Sequence, residues 1–251
     1  WFPADTFSKA QIMYVFGSIA EGAAKIENVT IQATAKRSSN YKVKNVLGYV
    51  SATVPTDSFI VFTAHYDHIG MMGSKTMFAG ASDNASGTAM MMNLARYYVA
   101  NPQKYNILFI ACAAEEAGLL GSKYYTDNPL FPLKNITFLI NLDIWGDATG
   151  GLSVVNGVKF EKEYQYVLAA NKEIGGSESG FFKELRQGEE AFNSDHAPFY
   201  AKRVPSFFFF TIGGPGHYHH VHDTSATLQL TNINEAAQLI RIFVRKLQYG
   251  K

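Results

Sequence analysis

Four stretches of the chain, residues 59–64, 107–114, 136–142 and 205–211, are apolar almost without alternation and bounded by polar or turn-forming residues. That pattern predicts strands buried on both faces, as in a parallel sheet. Residues 29–36 alternate instead, with Val29, Ile31 and Ala33 set against Thr30, Gln32 and Thr34. They predict a half-buried strand, with residues 43–50 as its partner across a turn at Ser38, Ser39 and Asn40. Helices are expected over residues 4–21, from Asp83–Gly87 to about Tyr98, over 159–174, and at the C-terminus. Met90, Met91 and Met92 read as core filling. The last helix places Ile233, Ala237, Ile240, Val244 and Leu247 at the helical period, and Asn232 stands three residues before Glu235 in a capping-box spacing. Ser194 has the look of a helix cap before Asp195 and His196. Residues 70–80 read as a loop rich in Gly and Met, and 175–180 as a flexible link. Strands alternate with helices, and no repeat, low-complexity tract or linker interrupts them. The expectation is a single α/β domain over residues 1–251, three layers deep, with a mostly parallel mixed sheet between helices.

Composition narrows the class. A chain of 251 residues with 47% hydrophobic content buries a large single core without needing a second domain. A net charge of +1 gives no field for nucleic acid or an anionic membrane. No apolar run approaches the roughly 20 residues of a membrane span. Cys112 is the only cysteine, so an internal disulfide and a thiolate-based metal site are both excluded.

The chemistry gathers at the strand ends, where open α/β sheets bind their ligands. His65 and Asp67 follow the first apolar run, Glu115 and Glu116 the second, Asp143 the third, and a tract from His217 to His222 the fourth; Asp83 precedes a helix. Adjacent glutamates repel and lose hydration at such a position, and a cation compensates them. The plainer reading is a solvated pair favoured by the N-terminal dipole of the next helix. Imidazole and carboxylate without thiolate suit zinc and related divalent metals. The set is too large for one catalytic zinc and matches two zincs, about 3.5–4 Å apart, sharing a bridging carboxylate. One glutamate is then spare to act as a general base. Ser86 and Ser122 lack a Gly-x-Ser-x-Gly elbow, and no Walker-type loop is present.

Six motifs occur in order: His65-Tyr66-Asp67-His68-Ile69-Gly70, Gly80 to Gly87, Glu115-Glu116-Ala117-Gly118-Leu119-Leu120-Gly121-Ser122, Asn141-Leu142-Asp143, Ser194 to Phe199, and Tyr218-His219 through Asp223-Thr224. Together, over roughly residues 45 to 245, they resemble the M-twenty-eight metallopeptidases, the co-catalytic zinc aminopeptidases and their relatives. The resemblance implies the zinc-exopeptidase fold and two zinc ions per chain. It makes Asp83 the bridging ligand, His65 and Asp143 the other protein ligands of one metal, and Glu116 and His219 those of the second. It makes Glu115 the general base, Asp67 the partner that orients His65, and Tyr218 the donor to the oxyanion. A cis peptide bond is expected after Asp83. His68 is expected to pack or to support a ligand, and Asp195 and His196 to be structural or to support the ligands from behind. His217, His220 and His222 surround the chosen ligand, and His220-Val221 departs from the Thr-Pro usual in the family.

The implied function is an aminopeptidase removing N-terminal residues from peptides, with Ile144, Trp145, Met71, Met72 and Phe78 expected to line the first subsite. Alternatives on this fold are a single-zinc glutaminyl cyclase-like transferase, a non-catalytic binding protein, and a di-zinc deacylase. Retention of His65, Asp83 and Asn84 to Gly87 argues for two metals and against ligand loss, and the interval from Asp143 to His219 is too short for a deacylase lid. The family also implies a periplasmic or secreted protein. Because the chain starts at Trp1 rather than Met, residues 1–22 are expected to be the seam after an upstream domain, with an export signal beyond it.

Overall fold

The structure is a computed structural model, and it describes Asn28, Thr30 and residues 41–250. The expected helix over 4–21, the seam over 1–22, and the strand over 29–36 with its turn lie outside the described residues, Thr30 apart.

One sheet is built from seven strands: β1 (Val46–Val50), β2 (Phe59–His65), β5 (Asn106–Cys112), β6 (Ile136–Leu142), β7 (Gly151–Val155), β8 (Leu185–Gln187) and β9 (Ser206–Ile212). Their order across the sheet is β1-β5-β2-β6-β9-β7-β8. The central four, β5, β2, β6 and β9, run parallel. Strand β1 lies antiparallel on β5, and β7 antiparallel on β9. Parallel pairing brings the carboxyl ends of the central strands to one edge of the sheet. His65 is the last residue of β2 and pairs with Cys112, the last of β5.

The unalternated sequence of these strands has a direct cause, since both faces are covered. Ile60, Phe62, Phe109, Phe138, Ile140, Phe207 and Phe209 point into the larger core. There they meet helices α1 (Gly87–Ala100), α3 (Glu161–Gly175) and α5 (Ile233–Tyr249), through Leu94, Val167, Ile240 and Phe243. Phe59, Val61, Leu108, Ile110, Cys112 and Leu139 point the other way. They pack on Tyr125 of α2 (Leu120–Asp127) and Phe199 of α4 (His196–Ala201). The result is a three-layer α/β sandwich.

Several local expectations are corrected. Residues 70–80 are not a plain loop: β3 (Gly70–Met72) and β4 (Thr76–Phe78) pair antiparallel as a hairpin. Ser194 caps nothing, because its hydroxyl is engaged with Asp143. Asn232 makes no capping bond either; its left-handed backbone (φ 59°, ψ 19°) turns the side chain from the first helical turn. Met90 and Met91 fill the core, but Met92 is exposed. Strands β7 and β8 extend the sheet beyond the runs read from sequence. Among the described residues no helix is long and apolar enough to cross a membrane.

Candidate metal centre

The parallel strand ends, one turn and one loop deliver the titratable side chains to a common point. His65 is almost fully buried, with Nδ1 3.1 Å from the carbonyl oxygen of Asp67. A carbonyl only accepts, so Nδ1 carries the proton and Nε2 faces inward. That Nε2 lies 3.2 Å from Oδ1 of Asp83 and 3.2 Å from Oδ1 of Asp143. Asp143 is fixed from behind: Thr63 donates to Asn141, Asn141 donates to Ser194, and Ser194 donates to Oδ2 of Asp143, each at 2.7 Å. Its Oδ1 is left for His65.

Asp83 sits in the helical turn Ala81–Ser86, and the Asp83–Asn84 peptide bond is cis. The carboxylate of Asp223 accepts from the backbone N–H of Ser82 (2.7 Å) and of Asp83 (3.0 Å). Asn84 donates to the carbonyl of Leu142 and accepts from the N–H groups of Gly87 and Ile144. Gly87 is required where it stands, since a Cβ there would lie 2.2 Å from Oδ1 of Asn84 and 2.5 Å from the Leu142 carbonyl oxygen.

The carboxylate of Asp67 accepts from the backbone N–H groups of Glu115 (3.1 Å) and Glu116 (3.2 Å). It therefore positions the glutamate pair, and it orients His65 mainly through its carbonyl oxygen, because Oδ1 is 3.8 Å from Nδ1. Glu116 offers Oε2 to Nε2 of His219 at 3.1 Å and Oε1 to Nδ1 of His68 at 2.7 Å. Nε2 of His219 is also 3.2 Å from Oδ2 of Asp83. The loop carrying His219 is tied down by Asp147, whose Oδ2 accepts from the N–H of Gly214 at 3.0 Å. The ring of Tyr218 stacks on that of His219, centroids 3.9 Å apart, and is exposed at the mouth.

Charge follows from this crowding. Burial pushes Glu115 up to about 9, with Asp143, Asp195 and Glu116 adding to the effect and His65 opposing it. Asp83 is held well below the usual carboxylate range, since hydrogen bonds from His219 and His65 outweigh its burial. His65 is raised well above an ordinary imidazole although burial opposes it, because Asp143 and Asp83 favour its charged form. Hydrogen bonds to Asp83 and Glu116 raise His219 to about 9 against its burial. The pocket demands positive charge.

The donors suit a divalent cation. With its proton on Nδ1, a neutral His65 ring would turn its Nε2 lone pair toward the lone pairs of Asp83 and Asp143, which a proton or a metal ion must separate. Ligands about 2.0–2.2 Å from a tetrahedral zinc stand roughly 3.3–3.6 Å from one another. The four imidazole–carboxylate separations, 3.1–3.2 Å, come close to that. Ligand atoms of His65, Asp83 and Asp143 lie within 4.8 Å of one another, as do those of His68, Asp83 and Glu116. Asp83 belongs to both groups, one oxygen to each side.

Other sequence candidates lie elsewhere. His217, His220 and His222 cluster with one another, ring centroids 4.9–5.7 Å apart. His196 is buried, donates to the Ala191 carbonyl and is pushed down to about 4 by that burial. Trp145 cannot line a subsite: it is fully buried, and its indole N–H donates to the Phe209 carbonyl. Ile144 does border the cleft beside Asp83, together with Thr211, Gly214, Tyr218 and Leu228, whereas Met71, Met72 and Phe78 are not part of its lining. The sequence motifs contain Asp223, Asn141 and Ser194 without assigning them their supporting contacts, and they do not single out Asp147 and Thr63. Thr63 and Asn141 each stand two residues before a ligand-type residue, His65 and Asp143, and are polar positions of otherwise largely apolar strand runs.

A mostly parallel α/β sheet whose strand ends gather two carboxylate–imidazole groups around a shared aspartate is an arrangement suited to divalent metal. Residues 45–244 match the family model of Peptidase family M28, and the chain belongs to that family. Aminopeptidase YwaD of Bacillus subtilis is 30% identical over 192 residues, covering 75% of this chain and 40% of its own length. The solved structure of BSAP, a zinc aminopeptidase from Bacillus subtilis, superposes with a TM-score of 0.66 at 28% identity, covering 80% of this chain and 49% of that one. An aminopeptidase from Aneurinibacillus sp. strain AM-1 gives a TM-score of 0.66 at 25% identity, covering 81% and 47%. The chain spans less than half the length of these relatives.

Proposed function

We propose that the chain carries the catalytic centre of a two-zinc aminopeptidase, which releases N-terminal residues from peptides. The observation that carries this reading is the division of Asp83, with Oδ1 toward His65 and Asp143 and Oδ2 toward His219 and Glu116. One zinc would be held by His65, Asp83 and Asp143, the other by Asp83, Glu116 and His219. Zinc supplies a Lewis acid and lowers the pKa of bound water from 15.7 to about 7.

The remaining work falls to the chain. Asp67 fixes the Glu115 backbone, and ligand atoms of Glu115, His65 and Glu116 lie within 4.8 Å of one another, so the spare carboxylate is close to a ligand of each position. Without a cation, burial keeps Glu115 protonated up to about 9; beside bound cations it would lose that proton and stand as a carboxylate able to take a proton from water and deliver it to the leaving amine. Partial desolvation at the mouth and the surrounding carboxylates raise Tyr218 and keep it a neutral hydroxyl, suited to donate to the substrate carbonyl oxygen as charge develops there. Aminopeptidases among the relatives at 25–30% identity favour this reaction over cyclisation. Action outside the cytoplasm, periplasmic or secreted, belongs to the same proposal and rests on the family resemblance.

The test is turnover of a panel of aminoacyl-anilides after zinc reconstitution. Hydrolysis of substrates with a free amine, abolished by N-acetylation, is the expected result. Turnover confined to acylated or C-terminal substrates would sink the aminopeptidase assignment.

A further inference from the structure

His68 has a placement that the proposed ligand set leaves unused. It lies three residues beyond His65, and its side chain is almost wholly buried. Its Nδ1 is 2.7 Å from Oε1 of Glu116 and 3.9 Å from Oδ2 of Asp83. Its ring meets that of His219 edge-on, centroids 5.7 Å apart and planes at 70°. The berth is built for the ring. Gly80 has a left-handed backbone (φ +67°), and a Cβ on it would lie 2.5 Å from Cγ and 2.7 Å from Cβ of His68. The opposite nitrogen, Nε2, is buried without a hydrogen-bond partner among the described residues. Only Nδ1 is engaged, and an ionised carboxylate only accepts, so Nδ1–H is the donor.

The consequence lies in Glu116. A carboxylate with both oxygens available swings between one-oxygen and two-oxygen ligation of a cation. Here Oε1 is taken by His68, and Oε2 alone is turned to the space between His219 and Asp83. We propose that His68 is a positioning residue for the second metal position, holding Glu116 to single-oxygen ligation and thereby raising the affinity of that position. The inference rests on the two-position reading given above. Hydrogen-bonded supports of this kind typically govern metal affinity by about 10–100-fold.

The experiment is zinc binding to metal-free protein, read by competition with a chromophoric chelator, for wild type, His68→Ala and His68→Asn. Asparagine places an amide N–H where Nδ1–H stands but lacks an imidazole lone pair. His68→Ala is expected to weaken one equivalent by about 10–100-fold and leave the other within about 2-fold. His68→Asn is expected to recover most of the loss. Thermal unfolding of the metal-free variants shows whether both remain folded; Asn provides the comparison if Ala does not. Unchanged binding in a folded His68→Ala overturns the proposal. So does His68→Asn binding as poorly as His68→Ala, since the ring nitrogen would then itself be a ligand. Uptake of a single equivalent by the wild type would overturn the two-position reading, a failure visible before any variant is made.

Discussion

Neighbouring residues on a chain rarely share a task, and Glu115 and Glu116 divide theirs visibly. Glu116 has both oxygens engaged, by His68 and His219, and its carboxyl sits below the usual range despite burial. Glu115 is pushed the opposite way, to about 9. Glu115→Gln should keep both metals and lose turnover by about 10²–10⁴-fold, the range for a lost general base. Glu116→Gln should lose one metal first, and added zinc should restore part of its activity. Metal content beside turnover across a zinc titration reads both, and rescue of Glu115→Gln alone would exchange the roles. His196 offers a test to be made on the metal-free protein. Its folded pKa is depressed to about 4 against 6.5 in the open chain, so the unfolded state binds more protons between those values. Its contribution is complete above pH 6.5 and is lost as pH falls toward 4, by roughly 3 kcal/mol. Asp195, raised to about 6 by burial, works in the opposite sense over pH 4–6, stabilising the fold as pH falls. His196→Gln keeps a donor for the Ala191 carbonyl but cannot titrate, so urea unfolding from pH 7 to 4 should show a flatter acid loss than wild type. An unaltered slope would mean that His196 does not carry it.

At the scale of elements, burial decides what the sequence reveals. The central strands are legible because a strand covered on both faces leaves no polar alternation, as Phe207, Phe208 and Phe209 show. Strand β8 has three residues and β7 five, too short to declare themselves against the glycines around them. Caps mislead because Ser194 and Asn232 are residue types with more than one use: the first is taken by Asp143 and the second sits in a left-handed turn. Ligand types at strand ends are legible, whereas their supports are not, because Asp223 lies 140 residues from the Asp83 it secures. The turn at Ala81–Ser86 is tightly packed against the helix that follows it, and it gives a sharp test. Gly87→Ala forces a methyl against Asn84 and the Leu142 backbone, so it should cost about 1–3 kcal/mol and loosen metal binding together. A methyl on Gly48, in β1, would meet nothing within 4 Å, and Gly48→Ala should stay within about 0.5 kcal/mol. Urea unfolding of both metal-free variants decides it, and a Gly87→Ala protein as stable as wild type would remove the packing argument.

For the whole molecule, the centre fastens segments that are far apart in sequence. His65 ends β2, Asp83 opens the path into α1, Glu116 follows β5, Asp143 follows β6, and His219 lies on the loop after β9. Bringing four carboxylates together there is unfavourable unless positive charge accompanies them, and the raised values of His65, His219 and Glu115 show protons serving that role. A cation that binds only the folded chain stabilises it by mass action, by about 2.7 kcal/mol for one site at a hundred times its Kd. For a chain of this size each kcal/mol moves Tm by about 2–4 °C. Zinc added to chelator-stripped protein should therefore raise Tm by roughly 5–11 °C at that ratio. The increment should grow between pH 6 and pH 8, because binding must displace the protons held on the imidazoles and on Glu115. Without metal the sign reverses: groups with raised folded values contribute most below their unfolded values, and that contribution drains away as pH climbs through about 9. Thermal scans of stripped and zinc-loaded protein across that range should diverge with rising pH. Parallel curves would show that the strand ends hold together without the cation.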